Sequence, residues 1–173
     1  MATAVFACAL GASALLLFAA WCDLATRTIP DGLSVGIAAL GLLARSTEGP
    51  ASVAASLLVA AVLYYAVFVP LHAFSALGGG DAKLLTASAI GLAPLATFDL
   101  LVSTVMAGGA LSLLYLSLRL LPRPLPLPPQ PHAWRASRIL SLERRRFNRR
   151  GPLPYAVAIA VGGIFTLMKP FGA

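Results

Sequence analysis

Leu77-Gly78-Gly79-Gly80-Asp81-Ala82-Lys83-Leu84-Leu85 sets a carboxylate directly behind three glycines, at the junction of two apolar runs. An ionised aspartate near the hydrocarbon of a bilayer costs at least a few kcal/mol, so an acid in such a place is a functional candidate by default. A second acid, Asp23, closes the first apolar run, just ahead of Arg27, Pro30 and Asp31. Two acids in matching positions suggest an acid–base pair, provided the chain delivers both to one side of a membrane.

Composition supports the membrane. Of 173 residues, 59% are hydrophobic and 11% charged, with a mean hydropathy of +0.87. Soluble domains carry roughly 25% charged residues, so this chain has too few to cover a water-facing surface. The apolar runs are continuous and rich in Ala and Leu, which excludes the period-two alternation of a β-barrel. The expectation is an all-α membrane protein, a single bundle of six transmembrane helices over 1–173. The net charge of +7 comes mostly from one loop and points to membrane orientation rather than to nucleic acid. Cys8 and Cys22 both lie in the first apolar run, match neither zinc nor disulfide spacing, and read as buried apolar cysteines. Trp21 is too large for a cleavage position and no Lys or Arg precedes the run, so that run reads as a retained helix.

The expected spans are 3–23, 31–45, 51–76, 82–96, 100–121 and 153–168. Pro70 should kink or end the third, Pro94 interrupt the fourth, and Ala107-Gly108-Gly109-Ala110 permit close contact on the fifth. A proline-rich and basic connection, 122–152, separates the last two. Its prolines from Pro122 to Pro131 favour a stiff, extended linker. Trp134, Ile139, Leu140, Leu142 and Phe147 among seven arginines over 132–150 suit an interfacial amphipathic helix on anionic lipid headgroups.

Nine arginines, counting Arg119 and Arg123, assign that connection to the cytoplasm by the positive-inside rule. Alternation then places Asp81 with Lys83, and Asp23 with Arg27, at the same cytoplasmic face, and both termini outside. Arg45, Glu48, Asp99 and Lys169 fall on the opposite face. Nothing about the aspartates entered that assignment, yet both arrive together.

Two nearby carboxylates cannot both ionise cheaply, so one stays protonated while the other is charged. The charged one can take a proton from water while the other donates to a peptide carbonyl, which is aspartic-protease chemistry without a metal or cofactor. Gly78, Gly79 and Gly80 would permit positive φ and a close approach of substrate backbone. The competing reading is a plain turn in which Asp81 caps the fourth helix. Lys83 would snorkel to headgroups, with tuning of Asp81 secondary. Asp31 is either a helix cap or a rival for the catalytic role. His72 and His132 are too isolated for a metal site, and His72 reads as an interface residue.

These residues resemble the type IV prepilin peptidases, which are intramembrane aspartic endopeptidases. Gly78-Gly79-Gly80-Asp81-Ala82-Lys83-Leu84-Leu85 looks like their GxGD-centred signature. Asp23-Leu24-Ala25-Thr26-Arg27-Thr28-Ile29-Pro30-Asp31 is similar to their first motif, with Asp31 in place of the usual Asn. Pro154-Tyr155-Ala156-Val157-Ala158 resembles their last-helix segment, with Ala156 in place of Gly. The resemblance implies Asp23 and Asp81 as the catalytic pair, with Arg27, Pro30, Asp31, Lys83, Tyr155 and the glycines as positioning residues. It implies prepilin and pseudopilin substrates cut behind a basic leader in a bacterial inner membrane. The chain lacks the paired-cysteine domain of the long bifunctional members, so methyltransferase activity is not expected. It resembles the short members tied to tight-adherence (Flp-type) pili, with archaeal preflagellin peptidases as near relatives. The alternatives are a non-catalytic membrane subunit that scaffolds pilus assembly and, third, a small transporter. The last is weakened because transporters bind substrate at mid-membrane. The oligomeric state is open.

Overall fold

A chain so apolar has to satisfy its backbone internally, and among the described residues it does so with helices and no strand. The computed structural model describes residues 2–74, 77–120 and 153–169. The expected loop 122–152, with its interfacial helix, His132 and most of the orienting arginines, lies outside the described residues. The helices are α1 (Ala2–Thr26), α2 (Asp31–Ser46), α3 (Pro50–Ala73), α4 (Gly79–Ile90), α5 (Pro94–Leu120) and α6 (Tyr155–Met168).

Three of them, α1, α3 and α5, are long and apolar enough to cross a membrane. The expectation of six crossings therefore holds as six helices, of which three qualify by length and composition. The others have 16, 12 and 14 residues; at 1.5 Å per residue the shortest, α4, reaches about 18 Å, against roughly 30 Å of hydrocarbon.

Local chemistry moves several expected boundaries. Pro94 does not interrupt the fourth helix but starts α5. A proline is well suited to a first helical position, where its missing N–H leaves no bond unmade. Asp99 consequently lies inside α5 rather than ahead of it. Pro70 does not end α3, which continues to Ala73; a π-helical turn over Tyr64–Phe68 precedes it, with the Val69 N–H bonded back to Tyr64 O. That wider turn makes room for the ring within a continuous helix.

The helices run alternately up and down. The last, α6, packs against α1 and α5; α2 packs against α1 and α4; α3 packs against α4. Leu16 and Ala19 of α1, Ile37 of α2, Leu84 and Leu85 of α4 and Ile159 of α6 form the centre, all nearly inaccessible. Leu58 and Tyr65 of α3 and Leu95, Phe98, Met106 and Leu113 of α5 point outward instead. Large apolar side chains covering the outer faces of the long helices are what a hydrocarbon solvent requires. At the end away from Asp23, α2 and α4 touch backbone to backbone: a Cβ on Gly41 would lie 2.6 Å from the Gly91 Cα.

Candidate active site

Up-and-down packing brings the C-terminus of α1 and the N-termini of α2, α4 and α6 to one end of the bundle. Asp23 lies in the last turn of α1 and is 8% exposed. The helix ends at Thr26, whose hydroxyl bonds back to Cys22 O (2.9 Å) and shares a hydrogen bond with Thr28 Oγ1 (2.8 Å). Arg27 then turns the chain out with a left-handed φ of 59° and sends its N–H to Asp23 O at 3.0 Å. A non-glycine residue in that region costs roughly 1–2 kcal/mol, so the turn is held by its surroundings. It points the segment to Ile29 across the start of α4.

The three glycines do not work as expected. Gly78 has φ −67°, and Gly79 and Gly80 are the first residues of α4; among the described residues Gly49 alone among glycines has a positive φ. Their lack of a side chain matters for proximity. A Cβ on Gly80 would lie 3.4 Å from Ile29, one on Gly79 3.4 Å from the His72 ring, and one on Gly78 2.8 Å from Asp81 Oδ2. Glycine thus lets the α1–α2 turn and α3 press against the first turn of α4 while the Asp81 carboxylate folds back over Gly78. His72 itself meets Leu77 O through Nδ1 at 3.0 Å.

Neither cap reading holds. Gly78 is the N-cap of α4 and Asp81 its third residue; Pro30 is the N-cap of α2 and Asp31 its first residue; neither cap carries a side-chain bond. Proline before Asp31 and glycine before Gly79 occupy the cap positions, which shifts each acid into the first turn. Asp31 instead accepts a hydrogen bond from Lys83 Nζ at 2.8 Å. Lys83 therefore ties α4 to α2 through an ion pair exposed on both sides.

Asp23 and Asp81 lie within each other's field. Asp81 is half-buried in the first turn of α4 and near enough to feel the charges of both Asp23 and Arg27. Tyr155, in the first turn of α6, also feels the Asp81 charge and rests its ring on Gly108 of α5. The residue after it, Ala156, sends its buried backbone N–H to Asp23 Oδ2 at 3.4 Å. That donor has no side-chain signature, so sequence reasoning missed it. Pro154, fully buried at the head of α6, is the one local sign that a helix start with open N–H groups sits there. Among the described residues, no group of three His, Cys, Asp or Glu side chains could hold a metal ion.

The arrangement is two carboxyls at one end of the bundle, one of them receiving an amide N–H, beside an arginine and a tyrosine. Such a pair can hold one proton between them and exchange it with water and a carbonyl oxygen. No curated protein and no solved structure matches the chain. A family model, that of the type IV leader peptidase family, matches residues 10–114, well over half the chain and inclusive of Asp23 and Asp81. With a bundle whose outer faces are apolar and a match that spans both aspartate-bearing segments, this chain belongs to the type IV leader peptidase family.

Proposed function

We propose that the protein removes the basic leader of prepilins and pseudopilins, with Asp23 and Asp81 activating water at the cytoplasmic face of a bacterial inner membrane. The observation that supports this reading is that Asp23 and Asp81 lie at the same end of the bundle, with the Asp23 charge felt at Asp81. Family membership supports the leader-peptidase activity. The aspartic mechanism, the absence of methyl transfer and the Flp-type substrate class are carried over from the motif resemblance.

In this reading all six helices lie across the membrane, with both termini outside. The short helices α2, α4 and α6 all begin at the carboxylate end. A 12-residue α4 falls about 12 Å short of a 30 Å core, so its N-terminus lies recessed below the surface or the bilayer thins around it. Either way Asp81 meets a scissile bond near the membrane edge in little bulk water. The arginine-rich stretch 132–150 would hold that face against anionic lipid.

The reaction divides between one carboxylate and one carboxylic acid. The carboxylate takes a proton from water as the water oxygen bonds to the scissile carbonyl carbon, and the acid gives its proton to the carbonyl oxygen. On collapse the C–N bond breaks, the leaving nitrogen receives the proton taken from water, and the acid recovers its proton from the diol.

Purified protein in detergent mixed with a prepilin tests the proposal. Cleavage is expected from the wild type and not from Asp23→Asn or Asp81→Asn, with both variants inserted and accumulated. Cleavage by either variant, or none by the wild type, would sink it; the latter result would leave a scaffolding subunit of pilus assembly as the reading.

A further inference from the structure

The end of the bundle away from Asp23 and Asp81 carries a groove on its outer face, between α5 and α6. It holds about 390 Å³ of open space, with Val102 and Met106 of α5 on one wall and Val161 and Phe165 of α6 on the other, all four exposed. Beneath it the two helices touch closely, since a Cβ on Gly162 would lie 2.5 Å from Thr104 Oγ1. The hydroxyls of the floor are bonded within the protein: Ser103 donates to Asp99 O at 2.7 Å and Thr166 to Gly162 O at 2.9 Å. Floor and walls therefore accept hydrocarbon and leave no polar group of their own to be matched. From Asp99 to Met106 the groove follows about 10 Å of helix, roughly two-thirds of the hydrocarbon depth of one leaflet.

Its mouth is different. There Lys169, just past α6, bonds Asp99 of α5 at 2.9 Å, with both side chains about half exposed, and the ammonium stands 5.3 Å from the Phe165 ring centroid. Asp99 lies inside the first turns of α5, about 8 Å from the helix start, where hydrocarbon gives way to headgroups. One contact does not exhaust either group, because an ammonium has three donors and a carboxylate about four acceptor positions. A cation and an anion, one from each helix, thus stand side by side at the entrance to an apolar groove.

We infer that this groove binds one phospholipid whose headgroup pairs a phosphate with a primary ammonium, a phosphatidylethanolamine, with an acyl chain between α5 and α6. The phosphate meets Lys169 and the ammonium meets Asp99, so both headgroup charges are matched while the protein's own pair stays intact. Phosphatidylcholine offers the same phosphate, but its quaternary ammonium has no N–H to donate. An anionic lipid would leave its negative charge facing Asp99. The bound lipid clips α6 to α5 at the end opposite the carboxylates. This requires the membrane and not the peptidase reading, and its readout uses no prepilin.

Native mass spectrometry tests it on the full chain in detergent with equal amounts of phosphatidylethanolamine and phosphatidylcholine of identical acyl chains. Neither lipid has a net charge, so the arginine-rich stretch 132–150 favours neither. The wild type should retain one phosphatidylethanolamine about 2- to 5-fold over phosphatidylcholine, the effect of one exposed ion contact. Asp99→Asn should erase that preference. Lys169→Gln should weaken retention of both lipids, because both present the phosphate. Ala107→Phe, which fills the groove and keeps its charges, should lose both. Equal retention by the wild type, a preference untouched by Asp99→Asn, or retention untouched by Lys169→Gln overturns the inference. So does a lipid-free dimer that Ala107→Phe splits, for then a second copy covers the groove. Should Ala107→Phe fail to accumulate, the two substitutions in the exposed pair still decide.

Discussion

The two ends of the bundle handle charge in opposite ways. At the end holding Glu48 and Asp99, each acid meets a base. Arg45, buried at 7% exposure, bonds Glu48 at 2.6 Å and Ser56 Oγ at 3.0 Å, and Ser56 in turn donates to Leu92 O at 2.8 Å. Lys169 bonds Asp99 at 2.9 Å and lies over the Phe165 ring. The other end gives Asp31 a lysine and gathers two further acids, Asp23 and Asp81, with Arg27 close by. Paired ions at one end lower the cost of charge near hydrocarbon, whereas like acids at the other raise it. A fold tolerates such a cost at sites where chemistry is done.

The sharpest way to break this contrast is to neutralise acids at both ends. Asp23→Asn and Asp81→Asn should each reduce prepilin cleavage by about 10²- to 10⁴-fold or more. Asp99→Asn should leave the rate per folded molecule unchanged. Equal losses at the two ends, in a gel assay of leader removal, would erase the distinction. Gly78→Ala comes next. Its Cβ would stand 2.8 Å from Asp81 Oδ2, so the carboxylate must swing away, and the turnover rate should fall about 10- to 100-fold with little change in the unfolding midpoint.

At the opposite end, Arg45→Met should cost about 1–3 kcal/mol, read as a lower unfolding midpoint, without altering cleavage per folded molecule. The smallest effect belongs to Lys83→Ala: the pair with Asp31 is exposed on both sides, and such pairs contribute about 1 kcal/mol or less.

Much of this was legible before any coordinates. Apolar runs with sparse charge dictate helices in lipid because no other open structure satisfies a backbone there. Alternating connections between those runs bring Asp23 and Asp81 to one face, and the bundle does carry them to one end. Short motifs of charge, glycine and proline mark the ends of helices, and α2 starts at Asp31 as expected. The shift of Pro94 from interrupting one helix to opening the next is a case where a breaker marks a boundary without saying which side of it is helical.

Contacts between distant segments are another matter. That Lys83 bonds Asp31, that Ile29 presses on Gly80, and that Arg27 turns left-handed depend on how α1, α2 and α4 cross. The Ala156 N–H is the clearest instance, since every residue but proline has that group and only packing decides which one finds a carboxylate 133 positions away. Composition and periodicity determined the solvent, the helices and the face that each acid shares, because hydrophobic matching acts along the chain. Tertiary packing alone decided which backbone donor Asp23 meets and which base Asp31 meets, because hydrogen bonding depends on neighbours that the chain order does not name.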